Sequence, residues 1–537
     1  MKTISQETQQ LIKEYQEYYQ SSQKKEEKKE EESTIHVDEV VSRVAIFYEK
    51  IRGIVDWKEE HLLRRTAIIR ILKRRLLLYK NGEDIAKMLV LELIRGGHFP
   101  NDKIPETKIK EVQKIIDKYI FILTNSPQNK EKLKYQLYDW ILGLSACEIE
   151  ETLSPPRKEK ALIRYMEKIM SERIKIKGEI LAKIEISENK KNIQILIAVQ
   201  RALFKLDSPI ISYSLLKRRF PEWSEASSPL LKEIAENIYS IWKDTEKELS
   251  YPLADKFYQI CERYNTPYLI IGDIISENPM KVEEKITHRE VLENLIKEAY
   301  KKRVVTLKKR LGRAAVFATS SIFITKVAMA LAIEIPLDKY LTGEFSYFVL
   351  SMNILIPPLL MCLLILTIRL PGKENLQRVI QEVMKIVYET KKKDIYQIKV
   401  FKKRSIVLRT AIGIFYFFSF CLTFGIIIRV LKWLNFGIFS QIIFIVFLSL
   451  ITFAGVKIRE RSKELTVEEP KETLLRTTID FFVLPVIRLG KWLSKEWEKH
   501  NVLATLFNSF IEMPFQLFIE FLEQWRYFLK EMKEEIH

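Results

Sequence analysis

Apolar residues along this chain follow two regimes. Through residue 313 they recur at three- and four-residue spacing, the period of a helix with one buried face. Beyond it they run on, nearly unbroken, in four stretches: 314–335, 345–368, 406–428 and 436–456. Each is about 20 residues or longer, enough to cross a ~30 Å hydrocarbon core as a helix. The pattern therefore predicts an integral, multi-pass membrane protein.

Ahead of the spans, helical periodicity is clearest over 61–79, 84–95, 109–122, 133–144, 161–174, 193–206 and 230–242. Stop and start signals punctuate it. Asp56 with Glu59, and Thr287 with Glu290, have capping-box spacing. Gly96-Gly97 reads as a helix stop, and Ser154-Pro155-Pro156 and Ser208-Pro209 as starts or breaks. Only 268–275 also fits a strand, and a lone strand has no ladder partner. The predicted class is all-α: a helical cytosolic N-terminal region, a four-helix transmembrane block and amphipathic C-terminal helices. The divisions are a polar, disordered tail (1–35), a helical region (36–313) with a break near 180–192, the membrane block (314–456) with a helical connection (369–405), and an aromatic-rich cytosolic tail (457–537).

Charge orients the block. The chain carries a net +18. Residues 301–313 hold seven Lys/Arg and no acid, and 391–409 hold eight against one acid, Asp394. Loops 336–344 and 429–435 have no such excess. Basic residues collect on cytoplasmic flanks, so both termini are expected in the cytoplasm, at the cell membrane. Lys308, Lys309, Arg310, Arg313, Lys402, Lys403 and Arg404 become candidates for contact with anionic lipid headgroups. The N-terminus lacks the apolar core of a signal peptide.

The remaining composition narrows little. Fifteen glycines, under half the usual frequency of about 7 %, argue for helix over sheet. Cys147, Cys261, Cys362 and Cys421 have no metal-ligand spacing and read as buried small hydrophobes. The six histidines are scattered, and no GxGxxG, GxxxxGK[ST] or GxSxG occurs. No catalytic residue, cofactor or metal is expected, and nucleic acid is not an expected partner. The stretch 61–79 combines Arg64, Arg65, Arg70, Lys73, Arg74 and Arg75 with large aliphatics. It reads as a core helix whose basic face pairs with acids, ahead of a lipid- or nucleic-acid-binding helix.

Two features stay in view as function. Lys326 is an ionisable group well inside a span, and such groups cost roughly 2.5–3.5 kcal/mol at mid-bilayer on insertion scales. The second span is expected to break at Pro357-Pro358, freeing the carbonyls of Asn353 and Ile354. Counting from the outer loop, Lys326 and Asn353 both lie roughly 12–14 Å deep. The amine is expected to point at the Asn353 side chain or at these carbonyls, as a clasp between spans. In the tail, 502–530 carries a narrow acidic stripe on a wide apolar surface, which predicts packing on the cytosolic domain or on another protomer, with a half-embedded position beside the spans as the alternative. The stretch 474–497 suits the membrane interface. The expected function is a non-enzymatic scaffold or partner-binding protein presenting its helical domain at the cytosolic face. The alternatives are a small transporter or channel component using Lys326 and the proline pair, and a membrane-tethered enzyme.

Overall fold

The structure, a computed structural model, describes residues 3–28, 33–39, 41–47, 60–78, 85–127, 129–177, 187–337, 347–368, 370–388, 394–399, 406–467, 474–499 and most of 517–532. These residues are nearly all helical. The chain forms two compact units. One comprises Met1–Ser5, Lys175–Glu185 and Arg263–Asn501, and the other Gln6–Ile174, Ile186–Glu262 and Val502–His537.

The second of these is an orthodox helical globule. Its helices are α1 (Gln6–Lys28), α2 (Glu60–Leu78), α3 (Ile85–Arg95), α4 (Thr107–Thr124), α5 (Glu131–Leu153), α6 (Arg157–Arg173), α7 (Glu188–Phe204), α8 (Ser208–Arg219), α9 (Ser228–Leu249) and α10 (Ala254–Arg263). Ile68, Leu89, Val112, Ile141, Trp223 and Ile238 sit in one continuous core. The basic residues of α2 face acids: Arg65 pairs with Asp207, Arg74 and Arg75 with Glu92, and Lys73 Nζ lies 2.6 Å from Asp139. Its opposite face buries Ala67, Ile68, Ile71 and Leu72. Gly97 stops α3 with φ +73°, a conformation open to glycine.

The N-terminal segment corrects the sequence reading. Over Gln6–Lys28 it is a helix, not a disordered tail. Leu11, Ile12 and Tyr15 are buried, and Thr8 hydrogen-bonds the Tyr165 hydroxyl at 2.7 Å. Three apolar anchors suffice to dock a helix whose other faces are polar. Of the C-terminal tail, Leu522 packs on Val41 and Ala45, and Arg526 pairs with Asp38 at 3.0 Å. Leu517, Phe518, Phe521, Trp525 and Phe528 stay substantially exposed among the described residues.

The other unit holds α11 (Asn265–Glu277), α12 (Val282–Thr287), α13 (Arg289–Met329), α14 (Tyr347–Leu366), α15 (Lys373–Val387), α16 (Ile406–Trp433), α17 (Ile438–Ser462) and α18 (Leu474–Lys499). Strands β1 (Ile174–Lys177) and β2 (Tyr396–Lys399) pair as a two-stranded sheet. The stretch 268–275 is helical within α11, as its buried Tyr268, Ile271 and Ile275 recur at three and four residues. Thr287 donates to Glu284 O and caps nothing on α13. Four helices are long and apolar enough to cross a membrane: Arg289–Glu334, Tyr347–Leu366, Ile406–Trp433 and Ile438–Ser462. Cys362 and Cys421 lie exposed on their outer faces, against the expectation of burial, while Cys147 and Cys261 are buried.

Hydrogen bonds stitch together the segments that flank these helices. Buried Asn375 donates to the Tyr300 hydroxyl (2.9 Å) and Leu465 O (2.7 Å), and accepts from Val467 N–H (2.9 Å). Thr266 donates to Glu464 O, and Ser5 N–H to Val387 O.

Candidate functional site in the membrane block

Among the described residues, the most enclosed polar cluster lies among the span helices. Helices α13, α14 and α17 pack on one another. Between them lie Lys326, Glu334, Asn353 and Ser440, each exposed by 1 % or less. Lys326 belongs to the last turn of α13. The helix then passes through a π-helical turn, Ala330–Glu334, which ends at the carboxylate.

Glu334 is the hub. Its Oε2 takes the Lys326 amine at 3.4 Å, while the Asn353 amide and the Ser440 hydroxyl both donate to Oε1. Charge-assisted donors are the strong ones, and three of them compensate for the carboxylate's lost hydration. Ser440 stands in the first turn of α17, so the carboxylate faces the positive end of that helix. The ring of Phe447 lies 5.0 Å from the Lys326 amine, adding a cation–π contact. Asn353 Oδ1 has no hydrogen-bond partner among the described residues.

This corrects the expected clasp in its central contact. The Lys326 amine turns to Glu334, and Asn353 meets it only through that carboxylate. Glu334 lies at the end of a span and eight residues past Lys326, a spacing that puts two residues off phase in a regular helix. The signal that would have found it is the charge balance of the span: one buried lysine calls for one acid. Pro357 is buried and Pro358 partly so, yet α14 continues through both, so the expected break is a proline pair within one helix.

A second buried charge network lies in the other unit's core. Glu148 accepts from Lys118 Nζ (2.6 Å), the Tyr119 hydroxyl (2.9 Å) and Trp223 Nε1 (2.9 Å), and Lys118 also donates to Trp223 O (3.1 Å). Burial pulls the Lys118 amine below its ordinary pKa against the opposing pull of Glu148, and pushes the Tyr119 phenol up. Both carboxylate oxygens are engaged, so the network pins α4, α5 and the turn at Trp223 together. Residues 118, 148 and 223 carry no shared motif; only the fold joins them.

Lys308, Lys309, Arg310 and Arg313 are exposed along α13, free of ion pairs among the described residues. Lys402, Lys403 and Arg404 lie outside the described residues. Among the described residues no three His, Cys, Asp or Glu side chains converge as a metal site. The chain matches no protein-family model, no curated protein and no solved structure.

Proposed function

We propose that this protein is a multi-pass membrane scaffold, with both termini cytoplasmic and its helical N-terminal region presented at the inner face to a protein partner. The observation that carries the reading is the closed charge at Glu334. Lys326 and Glu334 neutralise each other at full burial, and Asn353 and Ser440 tie that pair to two further helices. A substrate path needs charge left open to what passes; this charge is spent on holding three helices together. The basic flanks support the orientation. So do the hydrogen bonds joining Thr266 to Glu464 and Asn375 to Leu465, which link segments lying before, between and after the spans. The exposed lysines and arginines of 308–313 suit anionic headgroups at that face.

The test is affinity capture of the full-length protein from native membranes, with the Lys326→Met/Glu334→Met variant alongside. The scaffold reading expects both proteins to be membrane-inserted and to capture the same partners. One observation favours transport instead: Asn353 Oδ1, without a hydrogen-bond partner among the described residues, lies beside a buried ion pair. If the purified wild type conducts protons or ions across liposomes and the double variant does not, transport replaces the scaffold.

A further inference from the structure

Helix α18 does not read as a span, because Arg476, Asp480, Arg488 and Lys491 interrupt its apolar residues. Its position is nonetheless inside the bundle. The principal helix contact of α16 is α18 rather than its sequence neighbour α17, and α18 packs along α17 as well. Phe481 packs on Phe415 with tilted rings, centroids 4.8 Å apart. Gly490 lies on the backbone of Ser449, so closely that a Cβ there would collide with its carbonyl. Pro485, Val486 and Gly490 are buried.

The polar contacts are specific to this placement. Pro485 has no N–H, so the Phe481 carbonyl four residues back loses its helical donor. The Ser419 hydroxyl supplies that donor at 3.0 Å, and one turn on, Thr423 donates to Phe482 O at 3.2 Å. Ser419 lies midway between Arg409 and Arg429, ~15 Å from either along a helix, which is the middle of the span. In hydrocarbon an unpaired carbonyl costs several kcal/mol, so a proline helix at that depth needs such donors. Arg488 is accommodated over the Tyr416 ring at 4.3 Å.

We infer that α18 is a membrane-embedded helix: it inserts between the third and fourth spans, anchored by Ser419 at the carbonyl that Pro485 frees and by Thr423 at the carbonyl of Phe482. This rests on the four spans and not on the scaffold reading.

The experiment uses full-length protein with Cys362→Ala and Cys421→Ala, reconstituted in phosphatidylcholine–phosphatidylglycerol vesicles. Leu484, 39 % exposed, is replaced by Cys and labelled with an environment-sensitive fluorophore. Quenching by lipids with a mid-chain spin label, and protection from aqueous iodide, is the expected result. Quenching by iodide instead would make α18 a surface helix and overturn the inference. Ser419→Ala should raise iodide access at position 484. Ser419→Ala/Pro485→Ala should restore protection, because an alanine in place of the proline provides the missing N–H. If Ser419→Ala leaves quenching unchanged, the anchoring part of the inference is wrong.

Discussion

Glu334 lies eight residues after Lys326 on one continuous helix, yet its carboxylate meets the Lys326 amine at 3.4 Å. Eight residues of regular α-helix rotate a side chain ~80° out of phase, whereas seven leave it only ~20° away. The π-helical turn Ala330–Glu334 absorbs one extra residue and restores the shared face. The long reach of both side chains spans the remaining rise.

The pair should therefore behave as a unit. Glu334→Gln leaves an uncompensated buried ammonium and should cost about 3–5 kcal/mol, as should Lys326→Met for the stranded carboxylate. Lys326→Met/Glu334→Met should be far closer to wild type than either single change. Thermal unfolding in detergent measures all three. Additive losses would mean that the two groups do not compensate each other.

Close helix approach makes a second prediction. At Gly490 a methyl group meets the Ser449 backbone, which cannot rotate aside, so Gly490→Ala should destabilise by about 1–3 kcal/mol. At Gly455 the nearest atom is Leu364 Cδ1 at 2.8 Å, the end of a flexible side chain. Gly455→Ala should be tolerated, helped by the better helix propensity of alanine, about 1 kcal/mol. Parallel melting curves would reveal the contrast, and equal losses would contradict it.

The third concerns pH. Burial raises the Glu150 carboxyl from 4.5 to about 6, against the lowering effect of Arg65 and Arg64. A raised carboxyl pKa favours the fold while the group is protonated. That stability is present below the unfolded value and is lost as pH rises through about 6. At about 1.36 kcal/mol per pH unit, Glu150→Gln should gain about 2 kcal/mol over wild type at pH ~7.5 and little at pH ~4. Chemical denaturation at the two pH values tests the difference; a constant offset would refute it.

The orientation can be read directly. Glu374 is exposed near the start of α15, whereas Asn375 is buried by its three hydrogen bonds. In sealed cells an impermeant maleimide should label Leu341→Cys and spare Glu374→Cys. Labelling of Glu374→Cys from outside would invert the topology.

The sequence by itself determined the helical class and the four apolar helices, because bilayer crossing is set by run length and composition, both one-dimensional. It also singled out Lys326 and Asn353 as residues at a common depth, since depth follows from counting along two helices. Tertiary structure decided what they bond to. Glu334 enters their contact only because a π-helical turn resets the phase, and such a turn leaves no residue signature. The insertion of α18 was equally hidden: its charges lower its hydropathy, and its fit depends on Gly490 meeting Ser449 and on Ser419 meeting the carbonyl that Pro485 frees. The Lys118–Glu148–Trp223 network likewise joins residues far apart in sequence. Side-to-side pairing depends on helix phase and approach distance, and a linear pattern of apolar residues encodes neither.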